Sequence, residues 1–539
     1  MTIDAKSREM VFHYLVEAHA RTKPNKPALM MGDTMLTWAE VDQESNRWAR
    51  GLAKHGVRIG DRVLVMISSG IEHIVLWLGL CKIGALMVPV NDAYKGNMLE
   101  HQVNDSSATL AIIHERHLPR WQDIGHELPT LATIALFPDL DRRLARDARW
   151  QLLAFPSLRD ADPAPMPPVV RYFDPMALFY TSGTTGPSKG VLYSYAQAHA
   201  TALAMARHCD PDDVFYMFLP MFHVGLSQMF GCVAIAGATM AIREKFSARD
   251  FWPDVRRYRA TYSILLSTMP NFLASLPPSP DDRDHTLRKV VIIPLPSDLE
   301  AFKARYCVAV TTFFNMTEVS APLSVDGFEL PNATSCGRPR TGITARIVDE
   351  HDEPVAPGEV GELVLRADNP WEFNLGYWRN PEKTAEAWRN QWLHTGDAFR
   401  MDAEGNYTFV DRLKDAIRRR GENISSFEVE REVDAHPAIL ESAAVAVPSP
   451  AGEDEVLVIA TLREGYHLEA LALSAFLAPR LPSYMLPRFI KIERQELPKT
   501  PTGKIRKAAL RGAGTAGAWD RTPLADARPH KLTHDRSGG

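Results

Sequence analysis

Apolar residues recur in short runs along the first half of the chain, and segments with a helical pattern separate them. DRVLVMI from Asp61 predicts a strand, IEHIVLWLGLCKIGA from Ile71 a helix, and LMVPVN from Leu86 a second strand, which together make a parallel βαβ unit. The run from Ile74 to Val90 is the most apolar, but it contains Lys82 and two glycines. A membrane span needs roughly 20 mainly apolar residues, so a buried helix followed by a strand is predicted there.

The same alternation continues toward the middle of the chain. Further strands are predicted at MALFY from Met176, ATYSILLST from Ala260, KVVIIP from Lys289 and VAVTTFF from Val308. A helix is predicted between the last two, because Ser297 and Glu300 have capping-box spacing. The first and last of these strands end in polar clusters, and open α/β sheets bind ligands at such strand ends.

The pattern changes twice toward the C-terminus. From about Gly337 the strands are shorter and lie between turn signals, as in EVGELVLR and GNYTFVDR. After DRLKD a smaller mixed segment follows, with a helix at SSFEVEREVDAH and strands at AAVAVP and VLVIATL. The residues from 512 contain five glycines and few large apolar side chains, which predicts a disordered tail. We therefore expect an α/β fold with an N-terminal domain (1–411), a hinge (412–414), a small α+β domain (415–511) and the tail (512–539).

Composition limits the classes of function. The 539 residues are 45% apolar and 24% charged, which is typical of a globular protein with more than one domain. The net charge of −5, without a long basic run, argues against a broad nucleic-acid surface. The five cysteines are scattered and include no CxxC pair, which favours reduced cysteines over a zinc site or a disulfide framework. Because the N-terminus is too charged for a signal peptide, a cytoplasmic protein without a membrane span is expected.

The stretch YTSGTTGPSKGV, from Tyr180 to Val191, contains three glycines, several hydroxyls and Lys189. Glycine lets the backbone approach a ligand, and N–H groups, hydroxyls and the lysine charge suit an anion, so a phosphate site is predicted. A Walker P-loop would need glycine at 188 and serine or threonine at 190. The chain has Ser188 and Gly190 there, so that interpretation fails.

Several motifs in order resemble the acyl-adenylate-forming superfamily, which includes acyl-CoA synthetases, peptide synthetase adenylation domains and firefly luciferases. The glycine stretch resembles its phosphate loop, PMFHVGL (220–226) its aromatic-histidine motif, and FNMTE (314–318) its threonine-glutamate motif. Further similar segments are SCGRPRTGITARIVDEHDEPVAPGEVGELVLR, GYWRNPEKTAEAW, WLHTGD, FVDRLKDAIRRRGENISSFEVE and LPKTPTGKIRKAAL. The resemblance covers roughly residues 10 to 510 and implies stacked α/β sheets, a β-rich subdomain and a mobile C-terminal domain.

The resemblance implies a site for ATP with Mg²⁺. Lys189, which alone would pass for a solvated loop lysine, is implied to hold the β- and γ-phosphates. Glu318, which alone could cap a helix, is implied to hold Mg²⁺ together with Thr184, since a carboxylate is a hard oxygen ligand. Thr317 is implied to contact the α-phosphate.

The nucleoside contacts are also implied by resemblance. Phe314 would stack on adenine, Asp397 would accept hydrogen bonds from both ribose hydroxyls, and Arg412 would contact the nucleotide. The implied ATP-binding residues are Thr181, Ser182, Gly183, Thr184, Thr185, Gly186, Lys189, Phe314, Asn315, Met316, Asp397 and Arg412.

Two further residues are implied to act on the reacting groups, beside Thr317 and Glu318. Lys504, which could be only an exposed turn lysine, matches a mobile-domain lysine that bridges the acyl oxygen and the α-phosphate, where developing negative charge needs a cation. His223 on its own is more often a core histidine than a functional one, but the resemblance implies that it lines the path to the acyl carboxylate. The implied acyl pocket comprises Phe222, His223, Val224, Gly225, Pro294, Leu295 and Asn315.

Two positions depart from the family pattern, and both are on the acyl side. IPLP (293–296) replaces a common glycine-glycine-alanine-proline stretch, and with GENIS it resembles the crotonobetaine/carnitine-CoA ligase branch. Asn315 replaces a frequent glycine at the base of the acyl tunnel. A larger amide there predicts a short, polar or branched acid, unless the side chain points away and only tunes the adenine contact.

The resemblance also implies a hinge and a CoA site. Lys414 matches the hinge about which the small domain rotates between the two half-reactions. Arg418, Arg419 and Arg420 are implied to meet the CoA phosphates, and Gly421 to let the pantetheine arm pass.

The resulting hypothesis is an acid–CoA ligase that forms an acyl-AMP, releases pyrophosphate and transfers the acyl group to CoA. One alternative is an adenylating enzyme that loads a carrier protein in trans. A luciferase-like oxygenase is less favoured, because the adenylating motifs alone do not favour oxygen chemistry. An inactive nucleotide-binding scaffold is also less favoured, because it has no need of the full set of nucleotide-binding and catalytic residues. The sequence names neither the acid nor the pathway, and it does not decide between a monomer and a homodimer.

Overall fold

The computed structural model describes residues 3–138, 149–181, 187–266, 269–274, 276–296, 299–412, 417–419, 422–424, 426–448, 454–463, 465–498, 505 and 507–521. The chain divides into two compact units. The larger comprises residues 1–181 and 188–414, and the smaller contains the described residues from 417 onward. The hinge predicted at 412–414 stays a prediction.

The larger unit combines helices with two long sheets and shorter ones. Its strands are β1 (Pro27–Met31), β2 (Thr34–Thr37), β3 (Arg62–Met66), β4 (Leu86–Pro89), β5 (Leu110–His114), β6 (Thr133–Phe137), β7 (Gln151–Ala154), β8 (Pro175–Thr181), β9 (Lys189–Ser194), β10 (Val214–Met217), β11 (Thr239–Ile242), β12 (Tyr262–Leu266), β13 (Lys289–Ile293), β14 (Ala309–Thr311), β15 (Phe313–Phe314), β16 (Leu323–Ser324), β17 (Arg338–Pro339), β18 (Ile343–Val348), β19 (Val360–Ala367), β20 (Leu393–Met401) and β21 (Tyr407–Arg412).

The helices of this unit are α1 (Ala5–Met10), α2 (Phe12–Thr22), α3 (Trp38–Lys54), α4 (Ile71–Lys82), α5 (Gly96–Ser106), α6 (Leu118–Asp123), α7 (Tyr195–Ala206), α8 (Gly225–Ala236), α9 (Ala248–Tyr258), α10 (Met269–Ala274), α11 (Leu299–Tyr306) and α12 (Pro381–Ala387). Single 3₁₀ turns lie at Glu115–His117, Gly125–Glu127, Phe155–Leu158, Pro280–Arg283 and Arg389–Gln391.

Two seven-stranded sheets form the core, in the orders β7-β6-β5-β3-β4-β8-β9 and β14-β13-β12-β10-β11-β1-β2. Successive side chains of β3 point to opposite faces of its sheet and pack in two different apolar clusters. Val63 and Val65 join an apolar cluster shared by both sheets and by α2, α3, α4, α7 and α8. Leu64 and Met66 join a second cluster with α5 and α6 on the opposite face. The parallel pairing of β3 with β4, joined by α4, confirms the predicted βαβ unit.

The predicted strand VAVTTFF is divided in the structure. Its first part, β14, completes a long sheet, whereas β15 pairs with β16 in a separate three-stranded sheet. The break at Thr312 lets Phe314 leave the first core and enter the cluster around the antiparallel sheet β18-β19-β20-β21. The polar residues after Phe314 therefore follow a change of layer, not the end of one continuous strand.

The smaller unit is mixed, as predicted. It comprises β22 (Ile417–Arg419), β23 (Glu422–Ile424), α13 (Ser426–Asp434), β24 (Ile439–Pro448), β25 (Asp454–Leu462), α14 (Ala470–Leu477), β26 (Phe489–Glu493), α15 (Lys507–Ala513) and β27 (Trp519–Asp520). The prediction of a disordered tail from residue 512 is wrong for residues 512–521. Strand β27 pairs with β26, and Ala518 packs on the apolar cluster of this unit.

Within the described part of the chain, no helix is both long and apolar enough to cross a membrane.

Candidate functional site

The glycine-rich stretch joins two antiparallel strands, β8 and β9, in which Thr181 pairs with Lys189. Both flanks of the stretch are held by helix α5. Nε2 of His101 lies 2.8 Å from the carbonyl oxygen of Ser188, and the Tyr180 hydroxyl donates a 2.6 Å hydrogen bond to Asp105. Burial and the neighbouring Asp105 charge raise the pKa of Tyr180 above its ordinary value, so this hydroxyl stays a donor.

A segment from the β-rich region adds to the outer edge of β9. The Leu192 N–H donates to the Gly376 carbonyl at 3.0 Å, and the Trp378 N–H donates to the Gly190 carbonyl at 2.7 Å. This antiparallel pairing places Tyr377 opposite Val191. As a result, Nζ of Lys189 lies 4.9 Å from the centroid of the Tyr377 ring, within the range of a cation–π contact.

Tyr377 also reaches the threonine-glutamate motif. Its hydroxyl donates a 3.0 Å hydrogen bond to Oε1 of Glu318, and the Asn374 N–H donates to the Glu318 carbonyl at 3.0 Å. Glu318 is only 8% exposed. Lys189 and Glu318, from distant parts of the chain, therefore both contact Tyr377. A lysine cation near a buried carboxylate suits a phosphate chain accompanied by a hard metal cation.

The backbone on each side of Glu318 is held by one buried side chain. Nε2 of Gln197 donates to the carbonyls of Thr317 (2.9 Å) and Val319 (3.1 Å). Gln197 lies in the first turn of α7, where its N–H bonds to the capping hydroxyl of Ser194. Sequence reasoning missed both Gln197 and Tyr377. The spacing of Ser194 and Gln197 signals a helix start, but no local pattern links either residue to Glu318.

The other residues of FNMTE support the loop. Phe314 is 9% exposed and meets Phe399 edge to face, with centroids 4.9 Å apart, so protein contacts already occupy part of the ring predicted to stack on adenine. Met316 packs on the same cluster. Oδ1 of Asn315 accepts a 2.8 Å hydrogen bond from the N–H of Ala321, which has a φ of +46°. The Asn315 oxygen thus braces the loop, and the predicted contact with an acid is left to its NH₂ group.

Asp397 lies within β20 and is 2% exposed. Its N–H donates to the Thr395 hydroxyl at 3.1 Å. It is in register with Arg412 at the end of β21. The structure thus brings together the backbone positions of the two residues predicted to contact the nucleotide.

The predicted acyl residues lie in two loops at strand ends. Phe222 and His223 have ring centroids 4.4 Å apart, and Val224 and Gly225 lie at the start of α8. His223 is exposed, so a core role for this histidine is excluded. Beyond β13, Pro294 is exposed and Leu295 is half-buried.

One prediction in the smaller unit requires correction. Arg419 is 3% exposed and pairs with Glu455 at 2.7 Å, and it donates to the carbonyls of Tyr484 and Leu486. These contacts fix it inside the unit, so the assignment of Arg419 to CoA phosphates is wrong in this conformation. Arg418, its neighbour, is half-buried.

Several predicted site residues lie outside the described part of the chain. They are Ser182, Gly183, Thr184, Thr185, Gly186, Lys414, Arg420, Gly421 and Lys504, and the side chain of Arg412.

The chain matches the family described as AMP-binding enzyme over residues 16–378, and the AMP-binding enzyme C-terminal domain over residues 428–504. Crotonobetaine/carnitine–CoA ligase from Escherichia coli O17:K52:H18 is 32% identical over 485 residues, 88% of this chain and 93% of that protein. The ligase of the same name from Shigella flexneri is 31% identical over 484 residues, with the same coverage.

Solved structures agree on the fold. The amide bond synthetase McbA from Marinactinospora thermotolerans superposes with a TM-score of 0.80 at 22% identity and covers 93% of this chain and 99% of its own. The o-succinylbenzoate CoA synthetase from Bacillus subtilis gives a TM-score of 0.79 at 23% identity, covering 92% and 97%. These likenesses confirm the predicted α/β fold.

Proposed function

The chain belongs to the AMP-binding enzymes as an AMP-forming acid–thiol ligase, and we propose that it joins a short carboxylic acid to CoA at the expense of ATP. The observation that carries this proposal is the meeting of Lys189 and Glu318 at Tyr377. The first supplies a cation for the β- and γ-phosphates, and the second a carboxylate for the Mg²⁺ that accompanies them. The buried position of Glu318 and its hydroxyl donor fit a carboxylate that orients an ion.

The proposed first step is adenylation. A carboxylate oxygen of the acid attacks the α-phosphorus of ATP, the bond to the bridging oxygen breaks, and pyrophosphate leaves with that electron pair. No protein nucleophile is needed, so this chain contributes position and charge. Lys189 would hold the departing phosphates, Thr317 and Lys504 would contact the α-phosphate, and His223 would line the approach of the acid. Bound Mg²⁺ would neutralise charge on the phosphate oxygens.

The second step transfers the acyl group. The CoA thiolate attacks the carbonyl carbon of the acyl-AMP, the C–O bond to phosphate breaks, and AMP leaves as the anion. A rotation of the small domain about Lys414 would replace one set of side chains by another between the steps. Arg418, with Arg420 and Gly421, remains the candidate contact for CoA, and Arg419 is removed from that set.

The proposed acid is short and polar or branched. IPLP (293–296) and Asn315 both differ from the family pattern on the acyl side, and Asn315 is larger than the usual glycine. The relatives at 31–32% identity are named for crotonobetaine and carnitine, which supports the same class of acid.

Pyrophosphate release tests this function. The enzyme is incubated with ATP, Mg²⁺ and a panel of acids from C2 to C16, each with and without CoA. Repeated turnover only with CoA and a short acid supports the proposal, whereas a single burst unchanged by CoA indicates a carrier-protein acceptor. E318Q should lose turnover, and the matched control E329Q, at an exposed glutamate, should retain it.

A further inference from the structure

Strand β20 bulges at the segment HTGD. In its pairing with β19, His394 lies opposite Val364 and Ala398 lies opposite Glu362. Three residues of β20, 395–397, therefore face the single residue Leu363 of β19. A bulge of this kind removes backbone N–H groups from the ladder, and N–H groups in a buried strand need other acceptors.

Two side chains supply those acceptors. The Thr395 hydroxyl donates to the Leu363 carbonyl at 2.7 Å and accepts from the Asp397 N–H at 3.1 Å. Oε1 of Glu362 accepts from the Gly396 N–H at 2.9 Å. Gly396 has a φ of +72°, a conformation that glycine adopts without strain. The backbone that carries Asp397 is thus held from β19 by Glu362.

The carboxylate of Glu362 is held by the imidazole of His394 and the guanidinium of Arg389. Nδ1 of His394 donates to its Oε2 at 2.9 Å, and Nη2 of Arg389 lies 3.0 Å from the same oxygen. The side chains of Glu362 and His394 are only 12% and 4% exposed. Burial raises the pKa of Glu362, but hydrogen bonds from His394 and Gly396 and the nearby charges outweigh it and hold the pKa below its usual value. Glu362 is therefore a charged acceptor, with one oxygen bound to the Gly396 N–H of the bulge and the other to the imidazole of His394.

We propose that Glu362 and His394 are positioning residues for Asp397, which set how strongly the enzyme distinguishes ribose from deoxyribose in its nucleotide. The proposal rests on the proposed function only in that Asp397 receives the ribose hydroxyls. Each carboxylate oxygen of Glu362 has a separate task, so an amide at this position cannot accept both hydrogen bonds. The bulge would then relax, and Asp397 would no longer be held where both hydroxyls reach it.

The test measures binding and needs no knowledge of the acid. Dissociation constants for ATP, 2′-deoxy-ATP and 3′-deoxy-ATP with Mg²⁺ are measured by calorimetry on the full chain. The variants are E362Q, H394Q and D397N, with E359Q as the control, because Glu359 is an exposed glutamate just before β19. H394Q gives an independent reading where E362Q folds poorly.

The wild-type chain should prefer ATP over each deoxy analogue by about tenfold or more, since a carboxylate built to bind a hydroxyl is left without its partner. In E362Q and H394Q this ratio should fall at least threefold, whereas E359Q should keep it. A ratio unchanged in both variants, with D397N impaired, would overturn the positioning role alone. A D397N variant that keeps the wild-type ratio would show that Asp397 does not bind ribose, and would contradict that part of the proposed function as well.

Discussion

The hydroxyl of Tyr377 donates a 3.0 Å hydrogen bond to Oε1 of Glu318. The ring of the same tyrosine lies 4.9 Å from Nζ of Lys189. Backbone pairing with β9 fixes the position of this ring, since Trp378 and Leu192 both bond across the edge. The distance between the predicted phosphate-binding lysine and the predicted metal-binding carboxylate is therefore governed by a residue that belongs to neither motif.

Removing the Tyr377 hydroxyl should weaken metal-dependent activity. A hydrogen bond to a charged group contributes about 1.5–3 kcal/mol, so Y377F should lower kcat/KM for ATP by about tenfold. The Mg²⁺ concentration that gives half-maximal pyrophosphate release should rise in parallel. Y466F is the matched control, because Tyr466 is 55% exposed. Unchanged Mg²⁺ dependence in Y377F would contradict the role assigned to this hydroxyl.

Replacing Gln197 by methionine should destabilise the larger unit. Methionine has a similar length but no donor, so the carbonyls of Thr317 and Val319 lose the hydrogen bonds of 2.9 and 3.1 Å. We expect Q197M to lower the free energy of unfolding by about 2 kcal/mol and to reduce turnover, because Glu318 lies between those carbonyls. Urea unfolding measures the first effect. Q151M, at an exposed position, should change neither quantity.

The two adjacent arginines of β22 should behave differently. R419M leaves Glu455 inside the smaller unit with its 2.7 Å partner removed, and should lower stability by about 3 kcal/mol. R418A should raise the KM for CoA severalfold with a stability change within about 0.5 kcal/mol. Thermal unfolding and CoA titration of both variants measure this contrast. A selective loss of CoA affinity in R419M at unchanged stability would refute the structural assignment.

Acid should destabilise the chain through His73 in α4. Burial lowers the pKa of His73 to about 4, whereas an unfolded histidine titrates near 6.5. Between these values unfolding takes up a proton, so the stability that His73 contributes is present above about pH 6.5 and is lost as the pH falls. From pH 7 to pH 5 the loss should be about 2 kcal/mol. H73Q should remove that part of the pH dependence of urea unfolding, and H126Q, at a 68% exposed histidine, should not.

Local patterns in the sequence predict those parts of the fold that depend on neighbours in the chain. The βαβ unit from β3 to β4 can be predicted from its apolar runs, because β3 is buried on both faces of the sheet and every position from 63 to 66 is therefore apolar. Composition alone predicts a disordered tail, because it does not reveal that Trp519 and Asp520 can pair with β26. A two-residue strand has almost no pattern of its own, and its partner lies elsewhere in the sequence.

The site divides in the same way. Lys189, Glu318 and Asp397 lie in motifs whose roles the resemblance implies. Gln197 lies in none of these motifs, and Tyr377 lies in GYWRNPEKTAEAW, to which the sequence assigns no contact with Glu318. Only the fold places both residues beside the threonine-glutamate motif. The sequence assigns Arg419 to CoA together with its neighbours, because three consecutive arginines are indistinguishable without knowledge of the secondary structure. In β22, alternate residues share a face, so the buried Ile417 and Arg419 point the same way. Recognising this stretch as a strand would have separated Arg419 from Arg418.

The central claim is that the chain activates a carboxylate by adenylation, and transfer of isotope from the acid tests it most directly. The best acid of the panel is prepared with ¹⁸O in both carboxylate oxygens and incubated with unlabelled ATP, Mg²⁺ and CoA. Mass spectrometry then locates the label. Attack on the α-phosphorus predicts one ¹⁸O atom in AMP and none in pyrophosphate. Label in inorganic phosphate with formation of ADP would show an acyl phosphate instead, and would contradict the account.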